Sequence, residues 1–142
     1  MKRWLRQQDR YSCGPIALIN LDKWRGKHVT KHDLPKYRRR CRCGRLFGTT
    51  IVNFIHTVGK SYWRPTYQHF KRYLLSGGVA IIDCYWTNGS GHYFFVCGIY
   101  DHTDGRRGFL AINYYEHQTM TLLSPQEMVS LLRRGRIWTF QS

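Results

Sequence analysis

A cysteine followed by Gly-Pro opens the first long apolar segment of the chain, in the stretch SCGPIALINLDKWRG. Pro15 is typical of the first turn of a helix and Gly26 can end one, so the sequence predicts that Cys13 lies at a helix N-terminus. The amide groups and the dipole at such an end stabilise a thiolate and should lower the pKa of Cys13. Cys13 is therefore either a nucleophile or a buried core thiol that happens to begin a helix.

A thiol nucleophile needs a base that takes its proton and a group that orients this base. Among the seven histidines, His92 stands out because it follows a glycine-rich turn at the start of the predicted strand GHYFFVCGIY. Alternation places His92 on one strand face with Phe94 and Val96, at the edge of a cleft. The alternative is a histidine that closes the strand end through a backbone hydrogen bond. The next predicted strand, FLAINYYE, carries Asn113, which can accept a hydrogen bond from an imidazole N–H, so the chain offers an ordered Cys-His-Asn set.

Helical patterns fill the first half of the chain, and strand patterns fill most of the second half. After the Cys13 helix, the segments HDLPKYRRRC, GTTIVNFIHTVGK and TYQHFKRYLLSGG predict further helices. Strands are predicted in VAIIDCYW, GHYFFVCGIY, GFLAINYY, TMTLL and IWTF, and SPQEMVSLLRRG predicts a late helix with a capping box. Helices followed by an antiparallel sheet predict an α+β fold, and with no linker or repeat we expect residues 1–142 to form a single domain.

Taken in order, these motifs resemble the papain-like cysteine peptidases, and most closely the bacteriocin-processing (double-glycine) peptidase family and its stand-alone relatives. Gln7, Asp9, Cys13 and Gly14 match a Gln-x-Asp-x-x-x-Cys-Gly pattern. The Gly-Thr helix start in FGTTIVNFIHTVGK and the strand GHYFFVCGIYD match as well. The resemblance implies the papain-like fold, with N-terminal helices packed on a C-terminal antiparallel sheet, and a single papain-like peptidase domain.

The resemblance also implies an activity, that of a small cysteine peptidase or thiol hydrolase that cleaves a peptide or amide bond without a cofactor. Cys13 would attack the carbonyl, His92 would move the proton and Asn113 would orient His92. Gln7 would donate from its amide to the oxyanion, beside the backbone N–H of Cys13; alternatively, it is an ordinary surface glutamine. The family's Asp-Pro is Asn-Tyr in this chain, and Asn is acceptable because orientation matters more than charge.

Positive charge is the strongest anomaly of the composition. The chain has 23 Lys and Arg against 8 Asp and Glu, a net charge of +15. Because the basic residues are spread along the chain, the field favours a polyanion such as nucleic acid, an anionic cell wall or an acidic protein; the alternative is a solubilising surface. The densest group, which we name the arginine segment, is predicted to bind the polyanion and comprises Arg38, Arg39, Arg40, Arg42 and Arg45.

Cysteine usage and hydropathy predict the compartment. Five cysteines without the apolar run of a signal peptide predict free thiols, and no apolar stretch approaches the roughly 20 residues of a membrane span. We therefore expect a soluble protein, cytoplasmic or virion-associated. His28 and His32 with Cys41 and Cys43 suggest zinc, but Cys-x-Cys is an unusual spacing and the nearby arginines oppose a cation, so we expect no metal.

Two further functions stay open beside the peptidase. One is a cationic cell-wall amidopeptidase on the same fold, whose basic surface binds an anionic envelope. The other is a basic nucleic-acid-associated or virion protein, of phage or viral origin, in which the papain-like site is vestigial. Peptide turnover, murein lysis or neither would separate the three.

Overall fold

The structure is a computed structural model that describes residues 3–43, 48–85, 91–101, 107–115 and 117–141. Its helices are α1 (Cys13–Trp24), α2 (Leu34–Arg40), α3 (Ile51–Val58), α4 (Tyr67–Leu75) and α5 (Pro125–Leu132), with a 3-10 turn at Lys31–Asp33 before α2. Its strands are β1 (Tyr62–Trp63), β2 (Val79–Tyr85), β3 (Gly91–Asp101), β4 (Arg107–Ile112), β5 (Met120–Leu123) and β6 (Gly135–Phe140). The α+β fold predicted from the sequence is confirmed.

The strands form one antiparallel sheet in the order β1-β6-β2-β3-β4-β5. β3 and β4 pair antiparallel, with a register shift between Val96 and Gly98. The final strand β6 inserts between β1 and β2, which makes β2 and β3 the centre of the sheet. The sequence did not predict β1, because a strand of two residues, Tyr62 and Trp63, has no visible alternation.

Alternation along β3 divides the core into two layers. Tyr93 and Phe95 face α1, α2 and α3, whereas Phe94 and Val96 face α4 and α5. Phe94 and Phe95 are both fully buried, and burial of such a ring contributes about 2 kcal/mol. Helices thus cover both faces of the central strand, and the register of residues 92 and 93 is fixed by the core on each side.

Three helices begin at a side-chain cap, and the capping box predicted for the late helix is confirmed. Thr50, Thr66 and Ser124 each accept a hydrogen bond from the N–H three residues later, and Ser124 completes a capping box. The start of α2 differs, because the carboxylate of Asp33 accepts from the N–H of Thr30, the residue that caps the preceding 3-10 turn, and does not cap α2.

A buried asparagine in α1 fastens the N-terminal segment to the fold. The side chain of Asn20 accepts from the N–H of Leu5 at 2.9 Å and donates to its carbonyl at 3.0 Å. Since a wholly buried amide must be paired, these two bonds hold the segment that carries Gln7 against α1.

Candidate active site

Asp9 shapes the turn that leads into α1. Its carboxylate accepts from the N–H groups of Tyr11 and Ser12 at 2.8 and 2.9 Å, and from the Ser12 hydroxyl at 2.8 Å. Burial raises the pKa of Asp9, but the hydrogen bonds from Tyr11 and Ser12 outweigh it, so that the net shift is downward. Asp9 is therefore an anion beside the first turn of α1, and it fixes the backbone that places Cys13. The sequence motif contained Asp9 without indicating this role.

Cys13 is the first residue of α1, as predicted, and its exposed fraction is 7%. Burial raises the pKa of Cys13 to about 11, although the N–H groups of Tyr93 and Gly14 favour the thiolate, and the nearby Asp83 adds to the rise. The predicted lowering of this pKa is therefore wrong, because desolvation of the sulfur outweighs the helix N-terminus. The resting side chain is a neutral thiol that needs a base.

The sulfur borders a cavity of about 390 Å³, which we name the Cys13 cleft. At one wall of the cleft, Thr49 packs closely against Gly14: a Cβ at position 14 would lie 3.0 Å from the hydroxyl oxygen of Thr49. Besides Cys13 itself, the residues that border the cleft include Arg10, Thr49, Thr50, Ile51, Asp83 and Tyr93.

His92 is the second residue of β3, and its exposed fraction is 6%. Its Nε2 lies 2.7 Å from the backbone carbonyl oxygen of Asn113, which is the backbone hydrogen bond that the alternative interpretation of His92 predicted. A carbonyl only accepts, so Nε2 carries a proton and the lone pair of the neutral ring is on Nδ1. The ring stacks with Phe94 at a centroid distance of 6.1 Å, in agreement with the predicted strand face.

Cys13 and His92 approach β3 from different faces. Cys13 packs in the same core layer as Tyr93, whereas the His92 ring lies on the face of Phe94. The two meet at the backbone, because the N–H that favours the Cys13 thiolate belongs to Tyr93, the residue after His92. One peptide unit of β3 therefore separates the sulfur from the residue that carries the imidazole.

Asn113 meets His92 through its main chain. β4 ends at Ile112, and Asn113 follows with a φ of 63°, in the left-handed region that Asn tolerates better than most residues. Its carbonyl faces His92, while its side chain accepts from the N–H of Gln7 at 2.9 Å and donates to Gln7 Oε1 at 2.8 Å. The sequence predicted that the Asn113 amide would orient His92; in the structure this amide holds Gln7 instead.

Gln7 is buried, with an exposed fraction of 2%, whereas its neighbour Gln8 is exposed. The alternative that Gln7 is an ordinary surface glutamine is therefore wrong. One N–H of its amide donates to the carbonyl of Asp9 at 2.8 Å. Gln7 is thus hydrogen-bonded to Asn113, and Asn113 to the His92 ring. The link to Cys13 is the backbone, because the N–H of Tyr93, the next residue after His92, contacts the Cys13 thiol.

Asp83, which was not predicted from the sequence, borders the Cys13 cleft and is 4% exposed. Burial raises the pKa of Asp83 to about 7, against the lowering effect of the Arg136 guanidinium. The available signal was its position in VAIIDCYW, since a carboxylate inside an apolar strand is rarely buried without a reason.

Part of the arginine segment is engaged within the protein. The guanidinium of Arg38 lies 3.7 Å from the Asp9 carboxylate, and that of Arg40 lies 4.0 Å from Asp22. Arg39 and Arg42 are exposed, and Arg45 lies outside the described residues. The segment therefore does not present a uniform basic face.

A second cavity, of about 440 Å³, lies between the end of α2 and α3. We name it the basic cavity; it is bordered by Arg40, Arg42, Asn53, His56 and Thr57. The sequence predicted the arginines but not the contribution of His56 and Asn53 from the next helix.

A helix that begins at a cysteine and packs on an antiparallel sheet carrying a histidine defines the papain-like peptidase fold, and this chain has that fold. It is similar to the peptidase domain of Streptococcus ComA, a bi-functional ABC transporter involved in a quorum-sensing pathway, at 16% identity over 100% of both chains and a TM-score of 0.72. It is also similar to a double glycine motif protease from an AMS/PCAT transporter, solved in complex with the leader peptide. There the identity is 13%, over 99% of this chain and 91% of the other, with a TM-score of 0.65.

The predicted resemblance to double-glycine peptidases is confirmed by these structures at the level of the fold. No protein-family model matches the sequence, and neither does the sequence of any curated protein. Within the described ranges, no helix has the length and apolar character needed to cross a membrane.

Proposed function

We propose that this chain is a cysteine peptidase that cleaves a peptide or amide bond, with Cys13 as nucleophile and His92 as base. The observation that carries the proposal is the state of the His92 ring: its Nε2 proton is held by the Asn113 carbonyl at 2.7 Å, which leaves Nδ1 as the proton acceptor. The fold, shared with peptidase domains, supports the same conclusion.

The reaction begins with the thiol of Cys13, which is neutral at rest because its pKa is raised to about 11. In the proposed step, Nδ1 of His92, the ring nitrogen that carries no proton, takes the proton of the thiol when substrate is bound. The thiolate attacks the carbonyl carbon, and the imidazolium then protonates the leaving amine. Water, deprotonated by His92, hydrolyses the thioester, releases the carboxylic acid and restores the thiol.

Three groups stabilise the charges that develop in the proposed reaction. The Asn113 carbonyl accepts from Nε2 and stabilises the imidazolium. The second N–H of the Gln7 amide, with the backbone N–H of Cys13, stabilises the oxyanion. Asn113 therefore acts twice, as a positioning residue for His92 through its carbonyl and for Gln7 through its side chain.

Turnover of a peptide mixture tests this function. We expect mass spectrometry to find new peptide termini with the native chain and none with Cys13→Ser. The matched control is Cys97→Ser, which changes a partly exposed thiol on β3 and should leave cleavage unchanged. Release of muropeptides from purified cell wall, without cleavage of unrelated peptides, would favour the amidopeptidase alternative. Absence of both activities would favour a vestigial site.

Polyanion binding is a second candidate function, favoured by the basic cavity. Arg40, Arg42 and His56 border one concave site, which suits a phosphate group better than scattered charges do. We propose that this site and the arginine segment bind nucleic acid or a similar polyanion. Affinity should fall linearly with log salt, by about 0.9 per phosphate contact on duplex DNA.

Fluorescence anisotropy across a salt series tests the second candidate. The triple change of Arg39, Arg40 and Arg42 to Ser should flatten the salt slope by roughly one to three units and leave cleavage of a small neutral substrate unchanged. A control with the same charge change replaces the exposed Lys60, Arg72 and Arg133. Equal effects of the two triple variants would mean that the arginine segment contributes only through the net charge of the protein and is not a specific binding site.

A further inference from the structure

Asp83 is a buried carboxyl group for which the described part of the chain supplies no hydrogen-bond donor. It lies near the end of β2, opposite Tyr93 on β3 and Arg136 on β6. Among the described residues, none donates a hydrogen bond to this carboxyl group or forms an ion pair with it. The nearest candidate, Arg136, instead places its guanidinium 5.0 Å from the Trp63 ring centre and 3.5 Å from the Ser61 hydroxyl.

Such an arrangement is unfavourable for folding alone. A carboxylate removed from water without donors destabilises the protein, and an apolar side chain at the same place in the sheet would not. The cost is visible in the pKa of Asp83, which burial raises to about 7. A group that destabilises the free protein in this way is typical of a site that receives a ligand.

The carboxyl group opens on the Cys13 cleft, beside the candidate nucleophile. Thr49 borders the same cleft, with its hydroxyl oxygen buried beside the Cys41 thiol. The Asp83 carboxyl group therefore presents an anionic hydrogen-bond acceptor to this cavity. The complementary ligand is rich in N–H donors and positively charged.

We propose that Asp83 determines the specificity of the cleft by binding an ammonium or guanidinium group of the substrate next to the bond that is cleaved. The proposal rests on the proposed function in taking Cys13 as the reacting group. A cationic group would supply the donors that the carboxylate lacks, in a charge-assisted hydrogen bond. The net charge of +15 and the exposed Arg10 at the cleft would both favour an anionic ligand. A preference of the cleft for a cationic ligand would therefore be attributable to Asp83.

Charged thiol reagents test the inference without any need for turnover. Three methanethiosulfonates of similar size carry an ammonium, no charge or a sulfonate. In each, the thiolate attacks the sulfenyl sulfur, a mixed disulfide forms and methanesulfinate leaves. Peptide mapping after quenched time points gives separate rates for each cysteine, at about pH 8, where Asp83 is ionised.

We expect the ammonium reagent to modify Cys13 about tenfold faster than the sulfonate reagent. Cys97, partly exposed in the same molecule, is the internal control and should show the opposite order because of the basic field. Asp83→Asn has the same shape without the charge, and in it Cys13 should adopt the order of Cys97. A second measurement uses the native chain. Butylammonium should slow the modification of Cys13 by the neutral reagent, whereas butanesulfonate should not.

Equal rates at Cys13, a preference for the sulfonate, or an ammonium preference that persists in Asp83→Asn would overturn the inference. If the expected preference is found but no peptide is cleaved, the proposed function fails and the recognition by Asp83 stands. If peptides are cleaved without discrimination between lysine and norleucine at any position, the function stands and the inference fails.

Discussion

Nε2 of His92 donates to the main-chain carbonyl of Asn113 over 2.7 Å, so the orientation of the candidate base depends on the backbone beyond β4. The backbone there has a φ of 63°, which turns the carbonyl toward His92 and the side chain toward Gln7. Changes of the Asn113 side chain should therefore act on Gln7 and on backbone strain first, and on His92 only indirectly.

Two substitutions separate these effects at Asn113. Asn113→Gly removes the two buried hydrogen bonds to Gln7, but glycine adopts the positive φ without strain. We therefore expect the free energy of unfolding to fall by about 2 kcal/mol. Asn113→Ala removes the same bonds and adds strain of about 1 kcal/mol. Urea unfolding measures both, and equal stabilities of the two variants would contradict the left-handed geometry. Turnover should fall in both, though less than in His92→Ala.

Loss of the base should be the most damaging change after loss of Cys13. His92→Ala should reduce kcat by about 10²- to 10⁴-fold, because the thiol then has no proton acceptor. Added imidazole should restore part of the rate. The control is His69→Ala, an exposed histidine on α4. Wild-type turnover in His92→Ala would show that another group takes the proton from Cys13.

Neighbouring glutamines provide a matched pair for the oxyanion role. Gln7→Ala should lower kcat by about 10²-fold with a smaller effect on KM, because the interaction strengthens in the transition state. Gln8→Ala, at the exposed neighbour, should have neither effect. A rise in KM alone for Gln7→Ala would mean that Gln7 binds the ground state and does not stabilise the oxyanion.

The pKa of Asp83 makes stability depend on pH with a definite sign. The value rises from 3.8 to about 7 on folding, so the folded chain holds this proton more tightly. The free energy of unfolding should therefore fall as pH rises from about 4 to about 7. The groups that face Asp83 are Cys13 on α1, Tyr93 on β3, Arg136 on β6 and Arg10 at the cleft.

Asp83→Asn isolates this effect, since all other carboxylates titrate alike in both proteins. We expect the variant to gain stability relative to the native chain as pH rises, by on the order of 1–3 kcal/mol between about pH 4 and about pH 7. Urea unfolding at several pH values measures the difference. A difference that does not change with pH would mean that Asp83 is ionised throughout.

The fold was predictable because its signals are local. Cys13 begins a helix and Ser124 caps another where local patterns predicted them, and the alternation in GHYFFVCGIY placed His92 and Phe94 on one face. The site was predictable only in part. The left-handed turn at Asn113 and the desolvation of Cys13 depend on tertiary packing, which no spacing reveals.

Asp83 is a second residue whose role could not be predicted from the sequence. Its sequence context indicated an unusual carboxyl group in an apolar strand, but only the assembled sheet shows that it faces Cys13. Gln7 was placed by a motif, whereas its bond to Asn113 joins residues 106 positions apart and follows from the fold alone.

The reactivity of Cys13 toward a substrate-like electrophile is the most direct test of the central claim. A peptidyl epoxide should form one covalent adduct, located on Cys13 by peptide mapping, even though simple alkylating agents react slowly with this buried thiol. The adduct should be absent in Cys13→Ala and strongly reduced in His92→Ala. As a control, the thiols of the three unfolded proteins should label equally, except that Cys13→Ala has one thiol fewer. No adduct, an adduct on another cysteine, or an adduct that forms equally well without His92 would contradict the assignment of a cysteine peptidase.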